Sequence, residues 1–120
     1  FIADVADEIL HKYSVGTAGD PTDSLTHVQQ VDLSAAILGT DLVSFDISIS
    51  GKVFLFAEGA NSIFQYSTPT AYDLSGLVSD GITKSLSAEI TGILNFCLSE
   101  ATNEILVTEI ATDYVWRYTF

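Results

Sequence analysis

Three carboxylates recur along the 120-residue chain at nearly equal steps: Asp4, Glu58 and Glu109. Each follows a short apolar run, namely Phe1-Ile2-Ala3, Phe54-Leu55-Phe56-Ala57 and Leu106-Val107-Thr108. Carboxylates at equivalent points of a repeated fold can face one centre, and a circle of such oxygen ligands suits Ca²⁺ or a basic partner. The same acids can instead accept hydrogen bonds from backbone N–H groups of tight turns. Repetition favours the turn role, because catalytic sites are asymmetric whereas scaffold residues recur. Asp4, Glu58 and Glu109 are therefore the candidate site residues, for binding or for turn structure.

Other chemistry is sparse. His11 fills the slot that Phe64 and Trp116 occupy in later repeats, so a packing or surface role is expected ahead of metal ligation. His27 lies near a loop, with Asp23 as the nearest acid. The one cysteine, Cys97, excludes an internal disulfide and stands between Phe96 and Leu98, where a buried small hydrophobe is expected. There is no glycine-rich phosphate loop, no His-Glu-x-x-His, no Gly-x-Ser-x-Gly and no EF-hand loop. The expectation is a protein without catalytic residues, cofactor or metal.

The elements that position these residues announce themselves by repetition. Leu10-His11-Lys12-Tyr13, Ile63-Phe64-Gln65-Tyr66 and Val115-Trp116-Arg117-Tyr118 share one pattern at steps of 53 and 52 residues. Leu33-Ser34-Ala35 matches Leu86-Ser87-Ala88, also 53 apart. Phe45-Asp46-Ile47-Ser48 matches Phe96-Cys97-Leu98-Ser99 at a step of 51. Periods of this size signal propellers, solenoids or arrays.

Within the central repeat, Val43 to Ser50 alternates in part between apolar and polar, and Ser50-Gly51-Lys52 makes a tight turn. Val53 to Ala57 is continuously apolar, as for a strand covered on both faces, and Ile63 to Ser67 forms a third strand. Pro69 ends pairing there, having no N–H to donate. Ile82 to Ile90 is read as the fourth strand. In the first repeat, strands are expected over Phe1 to Val5, Ile9 to Ser14 and about Thr26 to Ile37. In the last they are expected over Ile93 to Ser99, Glu104 to Glu109 and Tyr114 to Phe120. Ile2 to Tyr13 has the Ala, Glu and Leu content of a short helix, but the repeat register reads it as two strands.

Short hairpins joining four antiparallel strands describe a β-propeller blade. The expected fold is all-β: a partial blade at 1–38, a full blade at 39–91 and a partial blade at 92–120. That is about two and a quarter blades where closure needs four or more, so the rest must come from a longer polypeptide or from neighbouring copies. A β-sandwich is the alternative. A β-solenoid fits less well, its coils being shorter.

Composition narrows the partners. The apolar share is 48%, ample for a packed core. Sixteen acidic residues against four basic ones give a net charge of −12. Such a surface repels nucleic acid and anionic membranes. No apolar run approaches the roughly 18 residues of a membrane helix.

Phe1-Ile2-Ala3-Asp4 with Asp7-Glu8-Ile9, and Ala57-Glu58-Gly59-Ala60-Asn61-Ser62-Ile63-Phe64-Gln65-Tyr66, resemble the V-A-D-x-x-N-x-I-x-x-Y core of NHL-type and YVTN-type propeller repeats. Gln65-Tyr66-Ser67-Thr68-Pro69-Thr70-Ala71-Tyr72-Asp73-Leu74-Ser75 is similar to a Q-Y-x-L-S-T-P-x-D-L-S-T segment of propeller repeats in phage virion and tail-fibre proteins and in bacterial surface proteins. Val31-Asp32-Leu33-Ser34-Ala35 echoes its second half. The first repeat departs from the pattern, with Gly16-Thr17-Ala18-Gly19-Asp20-Pro21 in that place. The resemblance implies a non-enzymatic structural or binding segment of an exposed assembly, outside cells or on a virion. Its partners would be the remaining blades or neighbouring copies. Two other functions stay open: a soluble platform for a peptide or glycan, and a lactonase-like enzyme. For the last, Asp46 is the only titratable residue in the first-strand pattern.

Overall fold

The computed structural model describes residues 1–18, 20, 22–35, 42–86, 88, 93–109 and 112–119. Ten strands run through them: β1 (Ile2–Asp4), β2 (Ile9–Val15), β3 (Leu25–Asp32), β4 (Leu42–Ile47), β5 (Lys52–Ala57), β6 (Ser62–Ser67), β7 (Val78–Ser85), β8 (Ile93–Ser99), β9 (Glu104–Glu109) and β10 (Val115–Thr119). Among the described residues there is no helix, and so none long and apolar enough to cross a membrane. Residues 2–13 are two paired strands, as the repeat register requires.

The strands form three antiparallel sheets, each a simple meander: β1-β2-β3, β4-β5-β6-β7 and β8-β9-β10. The all-β class and the hairpin order match expectation. The last strand of each early repeat does not. It ends at Asp32 rather than near Ile37, and it spans Val78–Ser85 rather than Ile82–Ile90. Just past those ends stand Leu33 and Leu86, whose side chains plug the core and are each 1% exposed. Residues 36, 37, 87, 89 and 90, which the sequence placed in those strands, lie outside the described residues.

Two cores separate three layers. Leu10, Leu33, Leu42, Val53, Leu55, Ala57, Tyr66 and Leu74 pack between the first and second sheets. Phe54, Phe56, Ile63, Leu86, Phe96, Ile105 and Val107 pack between the second and third. Strand β5 thus sends alternate residues into different cores, which is why its sequence is apolar throughout. Between sheets, the strands that approach each other are β1 and β4, then β4 and β8.

The turns repeat as faithfully as the strands. Glu8, Asn61 and Asp113 all have positive φ, at 56°, 44° and 56°, one or two residues before β2, β6 and β10. Gly51 at 83° and Asn103 at 52° do the same at the preceding turn. Asp-Leu-Ser is a second local device. Asp32 Oδ1 accepts the Ser34 N–H at 2.9 Å, and Asp73 Oδ1 accepts the Ser75 N–H at 2.9 Å. Each Asx turn aims its leucine, Leu33 or Leu74, into the core.

Candidate functional site

The three recurring acids stand at the same place in three sheets but have three different surroundings. Asp4 Oδ1 accepts the N–H of Ala6 at 3.1 Å and of Asp7 at 3.3 Å, closing the turn after β1. Glu58 is exposed, and only its carbonyl is engaged in the turn, by the Asn61 N–H at 2.9 Å. Glu109 is buried, 5% exposed. Its Oε2 accepts the Trp116 Nε1–H at 3.0 Å and the Thr112 hydroxyl at 2.5 Å. Among the described residues, no group of three or more His, Cys, Asp and Glu side chains could hold a metal ion. The acids are thus distributed one to a sheet, and at Asp4 and Glu109 the carboxylate oxygens bind groups of the adjoining turn or strand.

The densest polar constellation was not singled out from sequence. Lys52 of β5, Gln65 and Ser67 of β6 and Asp80 of β7 meet across three strands. Lys52 Nζ lies 2.9 Å from Asp80 Oδ2 and 2.6 Å from Ser67 Oγ. Ser67 donates to Asp80 Oδ1 at 2.6 Å, and Gln65 Nε2 donates to Oδ2 at 2.5 Å. The Ser67 hydrogen bond, then that of Gln65, holds the Asp80 carboxyl down at about 2, with Lys52 adding to the effect. A serine beside a lysine is a nucleophile–base arrangement in outline. Here the Ser67 hydroxyl is already donated to Asp80 Oδ1, and Lys52 Nζ is engaged with Asp80 Oδ2. The cluster ties three strands together.

A seam of polar contacts joins the second sheet to the third. Asp46 Oδ2 accepts the Leu98 N–H at 2.7 Å, and its Oδ1 accepts the Ile47 N–H at 2.8 Å. Ser44 donates to Asn95 at 2.5 Å, and Ser50 donates to Glu100. A shallow groove of about 310 Å³ runs beside this seam, bordered by Asp46, Ser48, Leu98 and Glu100. Asp46, the one titratable residue of the first-strand pattern, spends both carboxylate oxygens on backbone groups. A second cleft, of about 240 Å³, opens between β6–β7 and β9–β10 and is lined by Phe54, Ile63, Ile82, Lys84, Ile105 and Tyr118.

The histidines come together. A break in register between Lys12 and Tyr13 shifts β3 so that Tyr13 opposes His27 while His11 opposes Gln30. The bulge puts His27 on the face that carries His11 and Tyr13. His11 Nδ1 then lies 3.3 Å from His27 Nε2, and the Tyr13 ring meets the His27 ring edge-on at 5.3 Å. Spacing could not reveal this, because regular pairing would put His27 opposite Ser14, on the other face.

Cys97 corrects a sequence expectation: it is exposed, not buried. Phe96 and Leu98 take the core-facing positions on either side, and strand alternation turns Cys97 outward. Comparison of the chain with family models, with curated proteins and with solved structures finds no match in any of the three.

Proposed function

We propose that the three sheets are successive blades of a β-propeller. In this reading the chain is a non-enzymatic structural or binding segment of an exposed assembly, such as a virion, tail fibre or surface layer. The observation that carries the ring reading is the approach of β4 to both β1 and β8. β4 and β8 are the first strands of their repeats, and β1 is the earliest strand of the first. Sheets that touch through their leading strands, with a separate core in each gap, are arranged like blades around an axis. The recurrence of the same turn conformations at 8, 61 and 113 supports one blade design used three times.

The structural role draws on where the polar groups are engaged. Asp4, Asp46, Asp80 and Glu109 all hold turns, strands or sheets. The placement on a virion or surface rests on the repeat resemblance and on a net charge of −12, which suits solubility in an exposed setting. Both end sheets keep an uncovered face. Leu106 and Val115 are 39% and 66% exposed on the third sheet, and Ile2 and Leu25 are 48% and 56% exposed on the first. Further blades, from the same polypeptide or from copies, would cover them.

Native mass measurement beside electron microscopy tests the reading. The expected result is a ring-shaped particle, built either from a polypeptide longer than 12.9 kDa or from several 12.9 kDa copies. A 12.9 kDa monomer at high concentration overturns it and favours a sandwich-like stack of three sheets.

A further inference from the structure

We propose that His11 and His27 form a two-imidazole binding site for a first-row divalent cation of the Zn²⁺, Ni²⁺ or Cu²⁺ class. Every group involved belongs to the first sheet and lies on its outer face, which also carries Ile2 and Leu25, so the site is open wherever no further blade covers that face. His11 Nδ1 and His27 Nε2 are 3.3 Å apart. Two nitrogens bound at 2.0–2.1 Å to one tetrahedral ion lie about 3.3–3.4 Å apart, so the pair already has the bite of a chelate. Imidazole is a borderline ligand that suits Zn²⁺, Cu²⁺ and Ni²⁺ ahead of Ca²⁺ or Mg²⁺.

Three features preorganise the pair. The two strands are hydrogen-bonded neighbours, so the backbone separation is set by the sheet. The bulge at Lys12/Tyr13 supplies the register that places both rings on one face. Tyr13 flanks both histidines, with ring centroids 5.3 Å from His27 and 6.2 Å from His11. The site is reachable: His27 is exposed and His11 half-buried, on the face of the first sheet opposite Leu10 and the core. Water would complete the coordination shell, as in any site where protein provides only part of the ligand set.

The simpler alternative is a plain hydrogen bond between two imidazoles, which the same distance permits. Proton NMR of the 120-residue chain separates the two, because His11 and His27 are the two histidines in it. Paramagnetic Ni²⁺ is the probe, with Ca²⁺ as the control for uptake by the sixteen acids. The expected result is broadening of both histidines' ring signals together, at less than one equivalent of Ni²⁺, with none on adding Ca²⁺. Calorimetric titration with Zn²⁺ should give one site per chain, lost in His11→Gln and in His27→Gln. Broadening of one histidine or of neither overturns the proposal. So does Zn²⁺ binding that survives both variants, which would assign it to carboxylates. Should a variant unfold, the wild-type NMR titration still decides.

Discussion

Leu33 and Leu86 do the same work in two different sheets. The Leu33 N–H donates to the Glu8 carbonyl at 2.9 Å, and the Leu86 N–H donates to the Asn61 carbonyl at 3.0 Å. Both accepting residues have positive φ, and both leucine side chains are 1% exposed. Leu33 enters the core between the first and second sheets, and Leu86 the core between the second and third. Each leucine stands just past its sheet's last strand, pins a turn and seals the gap to the next layer.

Leu86→Ala and Leu33→Ala are each expected to cost about 2–5 kcal/mol, the range for truncating a fully buried leucine. Ile49, 78% exposed, is the control, and Ile49→Ala should stay within about 0.5 kcal/mol of the parent. Urea unfolding followed by the fluorescence of Trp116, the only tryptophan, measures all three. Equal losses at Ile49 and Leu86 would refute the plug role.

Glu109 should matter where Glu58 does not. Glu109→Ala leaves the Trp116 indole N–H and the Thr112 hydroxyl without their acceptor, at a cost of about 1–3 kcal/mol. The emission of Trp116 should shift with it. Glu109→Gln keeps an acceptor oxygen and should recover most of the loss. Glu58→Ala, at an exposed position, should be near neutral.

Two glycines separate backbone strain from steric fit. Gly51 has φ of +83°, and a Cβ there would stand 3.0 Å from both the carbonyl and the hydroxyl oxygen of Thr68. Gly81 has φ of +69° with nothing within 4 Å. Gly81→Ala should cost only the left-handed backbone penalty, about 1–2 kcal/mol. Gly51→Ala should cost more, because Thr68 Oγ1 and N–H both donate to the Gly51 carbonyl and fix the neighbour in place. Comparing the two urea midpoints checks the order.

Acid should loosen the second sheet. Asp80 titrates at about 2 in the folded chain, below its ordinary 3.8, chiefly through the Ser67 and Gln65 hydrogen bonds. A depressed carboxyl stabilises the fold above its unfolded value, and that stability is lost as pH falls through the folded one. The loss at Asp80 should therefore run from about 3.8 down to about 2. Asp73 behaves alike, held at about 2 mainly by Ser75. Asp80→Asn should flatten part of the stability profile in that window and leave Asp73's share in place. An unchanged profile would show that the Lys52–Asp80 cluster contributes nothing on folding.

Much of the architecture was legible in the chain alone. Alternation and the fifty-three-residue period gave the number and order of the strands seen among the described residues and the bounds of most, but misplaced β7 and overran β3. The apolar run at β5 announced a strand covered on both sides. Asp4, Glu58 and Glu109 were found at equivalent positions, but their spacing could not say that Glu109 is buried on Trp116 while Glu58 meets solvent. At Glu109 the difference comes from Trp116 and Thr112, which meet its carboxylate from the next strand and turn. The leucine plugs were visible as a motif, yet only packing showed which core Leu33 and Leu86 each fill. Lys52, Gln65, Ser67 and Asp80 have no spacing that marks them as a cluster, because they converge from three strands. His11 and His27 meet only because one bulged residue reverses the face that β3 presents, and a bulge leaves no trace in hydrophobic periodicity. Sequence determined which segments pair; tertiary structure decided which side chains meet, because register shifts and inter-sheet contacts depend on residues far apart in the chain.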